Sequence, residues 1–359
     1  MRIFKPLLLS ALTLSAGFIA THKAFAAYDL PYVGDMIEYE ARYEDTFVHL
    51  ARDFNLGFTE MRAANPYIDP WLPGAGTKII LPTRHILPDT VHEGIVINLA
   101  EMRLYDYAST KNNAPLTFPI GVGREGLGTP VGVTTVTRKT AGPTWRPTPR
   151  MREEDPELKA SYGPGPDNPL GTHALYLGWP QYAIHGTNKP FGIGRRVSSG
   201  CIRMYPEAIT KLFDLIEPGT RVEVVNQPIK IAWIDDKLYL EAHPTLEQSI
   251  DFEEKGVSEE LKLTDEETKY LIKIAGEYED RLNWPAIRTA VKERQGYPVQ
   301  IARRPLELDD ESALESAQSQ SQEQITEVKE LEIKEEEDNL QLAHEDTSSN
   351  KRKSFSFNN

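Results

Sequence analysis

The chain has 359 residues, 40% of them hydrophobic, enough for two or three folded cores. Its net charge is -14, yet residues 306–359 hold 15 acidic against 5 basic side chains, so that stretch alone carries -10. The remainder is only mildly acidic, which argues against nucleic acid as a partner.

Residues 1–26 read as a cleaved signal peptide. Arg2 and Lys5 form a basic start, Leu7 to Ala20 an apolar run, and Ala24-Phe25-Ala26 a small-x-small cleavage site. That run is shorter than the roughly 20 apolar residues that span a bilayer. No later stretch is apolar enough, so the mature chain is expected to lack a transmembrane segment and to work in the periplasm or outside the cell.

Residues 35–83 predict a small α+β unit. Asp45-Thr46 precedes the periodic apolar positions Phe47, Leu50, Ala51 and Phe54, a helix with an Asp or Thr cap. A second helix fits Thr59 to Ala64 and ends at Asn65-Pro66. Turns at Pro73-Gly74 and Gly76 lead into a strand at Lys78 to Pro82, giving the order strand, helix, helix, strand. His85 and His92 fall in the linker that follows.

Residues 93–226 predict a mainly β domain. Candidate strands are Gly94 to Asn98, Arg103 to Tyr107, Leu116 to Gly121, Gly132 to Thr137, Ala174 to Leu177, Tyr182 to Ile184 and Arg221 to Val225. Pro206 to Ile216 is the one clear helix, with Ala208, Ile209, Leu212, Phe213 and Ile216 on one stripe. Residues 227–305 read as a partly helical extension: a strand pair from Pro228 to Glu241 turning at Asp235-Asp236, then amphipathic helices at Thr264 to Gly276 and Pro285 to Gln295. They pack on the β domain or serve as its lid. Residues 306–359, rich in Glu, Gln and Ser, are expected to be disordered and solvated.

One cysteine, Cys201, lies sixteen positions after His185. An exported thiol without a disulfide partner calls for a chemical reason. A free thiol has a pKa near ~8.5, so it needs an imidazole to take its proton before attacking a carbonyl at neutral pH. Two histidines fall inside the β domain, His173 and His185. His185 is favoured because it ends a strand and opens a glycine-containing turn, where a loop can bring Cys201 beside it. Gly200 before the thiol permits a tight turn whose N–H groups face a developing oxyanion. A buried structural cysteine is the alternative. One cysteine and scattered histidines lack zinc spacing, so no metal is expected.

Ile184-His185-Gly186-Thr187 followed by Ser198-Ser199-Gly200-Cys201-Ile202-Arg203-Met204 resembles the signature of the L,D-transpeptidase catalytic domain, the YkuD family. Gly94 to Tyr105, Pro119 to Gly123, Gly128 to Gly132 and Gly165 to Gly171 agree with it, over residues 93–226. The resemblance implies a β-sandwich catalytic domain and no cofactor. Residues 35–83 resemble a LysM module through Tyr39, Asp45-Thr46, Leu50-Ala51, Asn65-Pro66, Pro73-Gly74 and Ile79 to Pro82. Glu44 stands where that family has glycine and Ala41 where it prefers valine. Such a unit binds peptidoglycan glycan, or packs without glycan affinity. The combination is similar to the periplasmic branch of Gram-negative bacteria, some members of which attach an outer-membrane lipoprotein to peptidoglycan.

The resemblance implies that Cys201 attacks the diaminopimelate carbonyl of a tetrapeptide stem, releases D-alanine and passes the acyl group to an amine of another stem or of a lipoprotein lysine. His185 would move the protons, the Gly186 carbonyl would orient it, and Gly200 and Cys201 would offer oxyanion N–H groups. Thr187, Ser198, Ser199 and Arg203 become candidates for substrate contact, with a structural ion pair as the other role for Arg203. Many family members have histidine where this chain has Ser199, which bears on acceptor placement. A cysteine hydrolase of the same fold and a non-catalytic wall-binding protein are the other classes open at this point.

Overall fold

The computed structural model describes residues 28–110 and 113–305; the expected signal at 1–26 and the acidic tail at 306–359 lie outside them. Among the described residues no helix is long and apolar enough to cross a membrane.

A short strand, Tyr32–Val33 (β1), precedes the small unit, which runs Ile37–Glu40 (β2), Phe47–Asp53 (α1), Phe58–Ala64 (α2) and Lys78–Leu81 (β3). β2 and β3 pair antiparallel, from Ile37↔Leu81 to Glu40↔Lys78. Of the two possible caps Thr46 takes the role, accepting from the His49 N–H, while Asp45 accepts from the Tyr39 hydroxyl and the Arg42 N–H. Phe47, Leu50, Met61, Ile79 and Leu81 make a core belonging to this unit. The following segment is more than a linker: His85–Ile86 (β4) pairs with β1, and both its residues are buried.

The central domain contains Ile95–Asn98 (β5), Arg103–Asp106 (β6), Leu116–Pro119 (β7), Val122–Gly123 (β8), Gly132–Ala141 (β9), Pro149–Glu154 (α3), His173–Leu177 (β10), Ala183–His185 (β11), Arg196–Ser198 (β12), Ile202–Arg203 (β13), Pro206–Leu215 (α4) and Arg221–Val225 (β14). Eight of these strands form one mixed sheet in the order β13-β11-β10-β9-β14-β5-β6-β7, and β8 pairs with β12 as a separate ribbon. Sheet, ribbon and α4 share one core, with Ile97, Leu104, Val122, Val136, Ile184, Ile209 and Leu212 in it. The mainly β expectation holds, although α3 and the very short strands β8, β12 and β13 were not foreseen. Two- and three-residue strands carry too little alternation to be read from sequence.

The extension adds Ile229–Ile234 (β15), Lys237–Ala242 (β16), Ser249–Lys255 (α5), Asp265–Ala275 (α6), Trp284–Glu293 (α7) and Val299–Arg303 (β17). The hairpin turns at Asp235, whose φ is 54°. β17 joins β16 antiparallel and completes a three-stranded sheet. Leu238, Leu240, Leu271, Ile287, Val291 and Ile301 give it a core distinct from that of the central domain. The two amphipathic helices therefore cover this sheet with their apolar faces.

Buried charges join the three sequence units. Lys230 Nζ lies 2.9 Å from Glu101 Oε1, 2.7 Å from Glu241 Oε1 and 2.6 Å from the Ile86 carbonyl. Glu241 also accepts from the Ile86 N–H at 2.6 Å and pairs with His243 Nε2 at 2.6 Å. Arg103 reaches the small unit, 3.0 Å from Glu60 Oε2 and 3.0 Å from the Asn55 carbonyl. His85, Glu101 and Glu241 present ligand atoms within 4.8 Å of one another, and the cation among them is the Lys230 ammonium. Burial, then Arg103 and Lys230, hold the His85 imidazole well below its usual pKa, so it stays neutral. Removing one member of such a pair leaves an uncompensated buried charge. Lys230→Met should lower stability by about 3–5 kcal/mol, measured by equilibrium denaturant unfolding; a change below about 1 kcal/mol would mean that water already reaches these carboxylates.

Candidate active site

β11 and β13 run parallel, with Ile184 opposite Ile202 and His185 opposite Arg203. Side chains two apart on a strand share a face, so Cys201, just before β13, faces the same way as Arg203 and His185. A parallel pair needs a long crossover, and here residues 186–201 supply it through a single turn at Pro190–Gly192 and β12. Met204 N–H closes the pairing on the His185 carbonyl at 2.9 Å. All three side chains line one cleft of about 660 Å³, together with Tyr182, Ser199, Trp145, Arg146 and Arg150.

His185 is 4% exposed and its Nδ1 lies 2.6 Å from the Gly186 carbonyl. A carbonyl only accepts, so Nδ1 carries the proton and the Nε2 lone pair is left for chemistry. Burial, then the Arg203 cation, lowers the imidazole pKa to about 4, against the Gly186 hydrogen bond that raises it. Burial likewise pushes the Cys201 thiol up, with the Ala183 backbone and Arg203 pulling less strongly the other way. The thiol donates toward the Gln181 carbonyl at 3.4 Å. At pH 7 the pair is therefore imidazole and thiol, both neutral.

The nucleophile loop is held by its neighbours. Gly200 has φ 104°, and a Cβ there would lie 2.8 Å from the Tyr182 ring, so only glycine fits. Its N–H donates to Ser198 Oγ at 3.1 Å, and the Ser198 hydroxyl donates to the Cys201 carbonyl at 2.5 Å. The Gly200 N–H is thus engaged within the loop, and Ser198, 2% exposed, ties the turn together while bordering the cleft. The Thr187 hydroxyl accepts from the Lys189 N–H at 2.9 Å, and the residue borders a neighbouring groove with Gly171 and His173. Ser199 lines the cleft and accepts from Arg150 Nη2 at 3.3 Å. Arg203 faces the cleft with its Nε buried and unpartnered.

Another wall comes from the insertion between β9 and β10, a segment that offered no strand or helix in the sequence. Trp145 and Tyr162 exchange backbone hydrogen bonds at 2.9 and 2.8 Å. The amide of Asn168, 1% exposed, donates to the carbonyls of Pro143, Tyr162 and Gly163. Thr148-Pro149, a cap residue followed by proline in the first helical turn, was the available signal for α3 and thus for Arg150.

The sequence matches those of an enzyme class. Residues 92–224 match the L,D-transpeptidase catalytic domain, YkuD. The chain is 42% identical over 260 residues to the Probable L,D-transpeptidase YbiS of Escherichia coli strain K12, covering 70% of this chain and 82% of that protein. It is 43% identical over 260 residues to the Probable L,D-transpeptidase ErfK/SrfK of the same strain, covering 70% and 81%. The chain belongs to the L,D-transpeptidase family and is an enzyme of L,D-transpeptidase-type chemistry.

The lowered imidazole pKa has a definite sign. His185 is ready to accept a proton above about pH 4. Because an unfolded histidine titrates near ~6.5, it favours the folded state above that pH and loses the contribution as pH falls from ~6.5 to about 4. NMR of the imidazole nitrogens should place the His185 midpoint near pH 4; a midpoint near the unperturbed ~6.5 would show that the ring is solvated.

Proposed function

We propose that the enzyme acts on peptidoglycan tetrapeptide stems through a Cys201 thioester. What carries this reading is the shared cleft: a thiol and a buried imidazole on one face, the imidazole locked by Gly186 with Nε2 free. The neutral pair makes His185 a general base that takes the thiol proton as the sulfur attacks the diaminopimelate carbonyl. The tetrahedral oxyanion then meets the Cys201 N–H, with the Gly200 N–H joining only if Ser198 releases it. His185 Nε2–H passes its proton to the departing D-alanine amine, the C–N bond breaks and the thioester remains. An incoming amine loses its proton to Nε2, attacks the thioester and restores the thiol.

Arg203 suits a substrate carboxylate, since its guanidinium lies in the cleft with Nε unpartnered. Ser199 presents a small hydroxyl beside the nucleophile, and the acceptor is an amine of a second stem or a lipoprotein lysine. Residues 35–83 fit a LysM-like glycan-binding unit, supported by the β2-α1-α2-β3 order and by exposed Tyr43, Tyr67 and Trp71, whose ring faces can stack on sugars. The reading divides the chain into a signal peptide at 1–26, this unit, a catalytic domain at 93–226, an extension at 227–305 and an acidic tail, exported to the periplasm of a Gram-negative cell.

Cys201→Ala should abolish D-alanine release from a defined tetrapeptide donor, and His185→Gln should slow it at least ~100-fold, read by mass spectrometry. Full activity in either variant would remove the assignment. The fate of the thioester separates transferase from hydrolase: with saturating amine present, most acyl groups should leave as amide. Labelled oxygen from water in the bulk of the product would identify a hydrolase.

A further inference from the structure

Arg146, Arg150 and Arg203 all line the cleft, and no carboxylate does. Arg203, at the end of β13, has its Nε buried and unpartnered. Arg146 and Arg150 belong to the insertion that Trp145, Tyr162 and Asn168 hold in place. Arg150 pairs with Glu154, which also binds Arg124 at 3.0 Å. Two guanidinium groups thus share one carboxylate just outside the cleft, and the wall stays cationic. Ser199 Oγ holds the Arg150 guanidinium beside the nucleophile loop at 3.3 Å.

We infer that Arg146 and Arg150, which share the cleft with Arg203, make it selective for peptides with at least two free carboxylates, Ser199 positioning Arg150 for one of them. This rests on the acyl-transfer reading for the identity of the peptide, and deepens it. A stem ending in diaminopimelate and D-alanine carries one carboxylate on each residue, separated by the whole length of the diaminopimelate side chain, too far apart for one guanidinium to hold both. Guanidinium forks bind carboxylates with charge-assisted hydrogen bonds that a carboxamide cannot replace. Ser199 then matters because histidine there would set a second ring where Arg150 now reaches.

The test measures binding apart from turnover. The full chain carrying Cys201→Ala is titrated calorimetrically with two tetrapeptide donors, one with the diaminopimelate side carboxylate free and one with it amidated. The free acid should bind about tenfold more tightly, as expected for losing a charge-assisted contact. Adding Arg146→Gln and Arg150→Gln should bring the two donors within about twofold, while Arg150→Lys, which keeps the charge, should preserve part of the difference. Equal binding of both donors to the parent, or an undiminished preference in the double arginine variant, would overturn the inference. Selective binding without D-alanine release by the Cys201 enzyme would sink the acyl-transfer reading and leave the inference standing. Turnover of both donors with no preference would do the reverse.

Discussion

Two side chains sixteen positions apart reach one cleft because β11 and β13 run parallel. That pairing cannot be closed by a tight turn, so the connection must be long and must be held by something other than itself. Several parts of the molecule supply the hold. β12 pairs with β8, Arg196 opposite Val122. The first turn of α2 donates Phe58 and Thr59 N–H groups to the carbonyls of Ile193 and Gly194 at 3.3 and 3.2 Å. Gly194 is required there, since a Cβ would lie 2.3 Å from Phe58 N. Arg195 lies over the Phe58 ring, 3.9 Å from its centroid. The small N-terminal unit therefore braces the segment between His185 and Cys201.

That bracing is only as firm as the seat of the unit, and here the buried charges take over. Arg103 in β6 holds Glu60 in α2, and Lys230 in β15 holds Glu101 and Glu241. Burying a charge is costly unless it is paired and hydrogen-bonded, which makes each partner specific to its place. Glu101 shows the balance: burial raises its pKa, but Lys230 and the neighbouring cations hold it below the usual value. Such a network selects one arrangement of three cores that hydrophobic contact alone would leave free to slide.

The same low polarity shapes the cleft. Burial favours neutral forms of both His185 and Cys201, so the resting thiol stays protonated. Arg203 adds to the effect on the imidazole while stabilising any thiolate that forms.

Much of this was legible in the sequence. The Thr46 cap, the Asn65-Pro66 stop, the Asp235-Asp236 turn and the Pro206 helix are local, set by side-chain chemistry within a few residues. The pairing of His185 with Cys201 and the Gly186 carbonyl followed from a signature whose residues lie close in the chain. Other features depended on partners far away. His85 sits in a segment with no periodicity, and only Glu101, Lys230 and the core beside β5 make it a buried strand residue. Gly200 reads as an oxyanion-loop residue and Ser198 as a substrate contact, yet the hydrogen bond between them emerges only when the backbone turns at φ 104°. Arg146 and Arg150 lie in a stretch of prolines and glycines, and Asn168 folds that stretch against the cleft from about twenty residues away. Local chemistry determined which elements form; long-range burial and charge pairing decided which of their side chains meet, because those terms depend on distances that sequence separation does not encode.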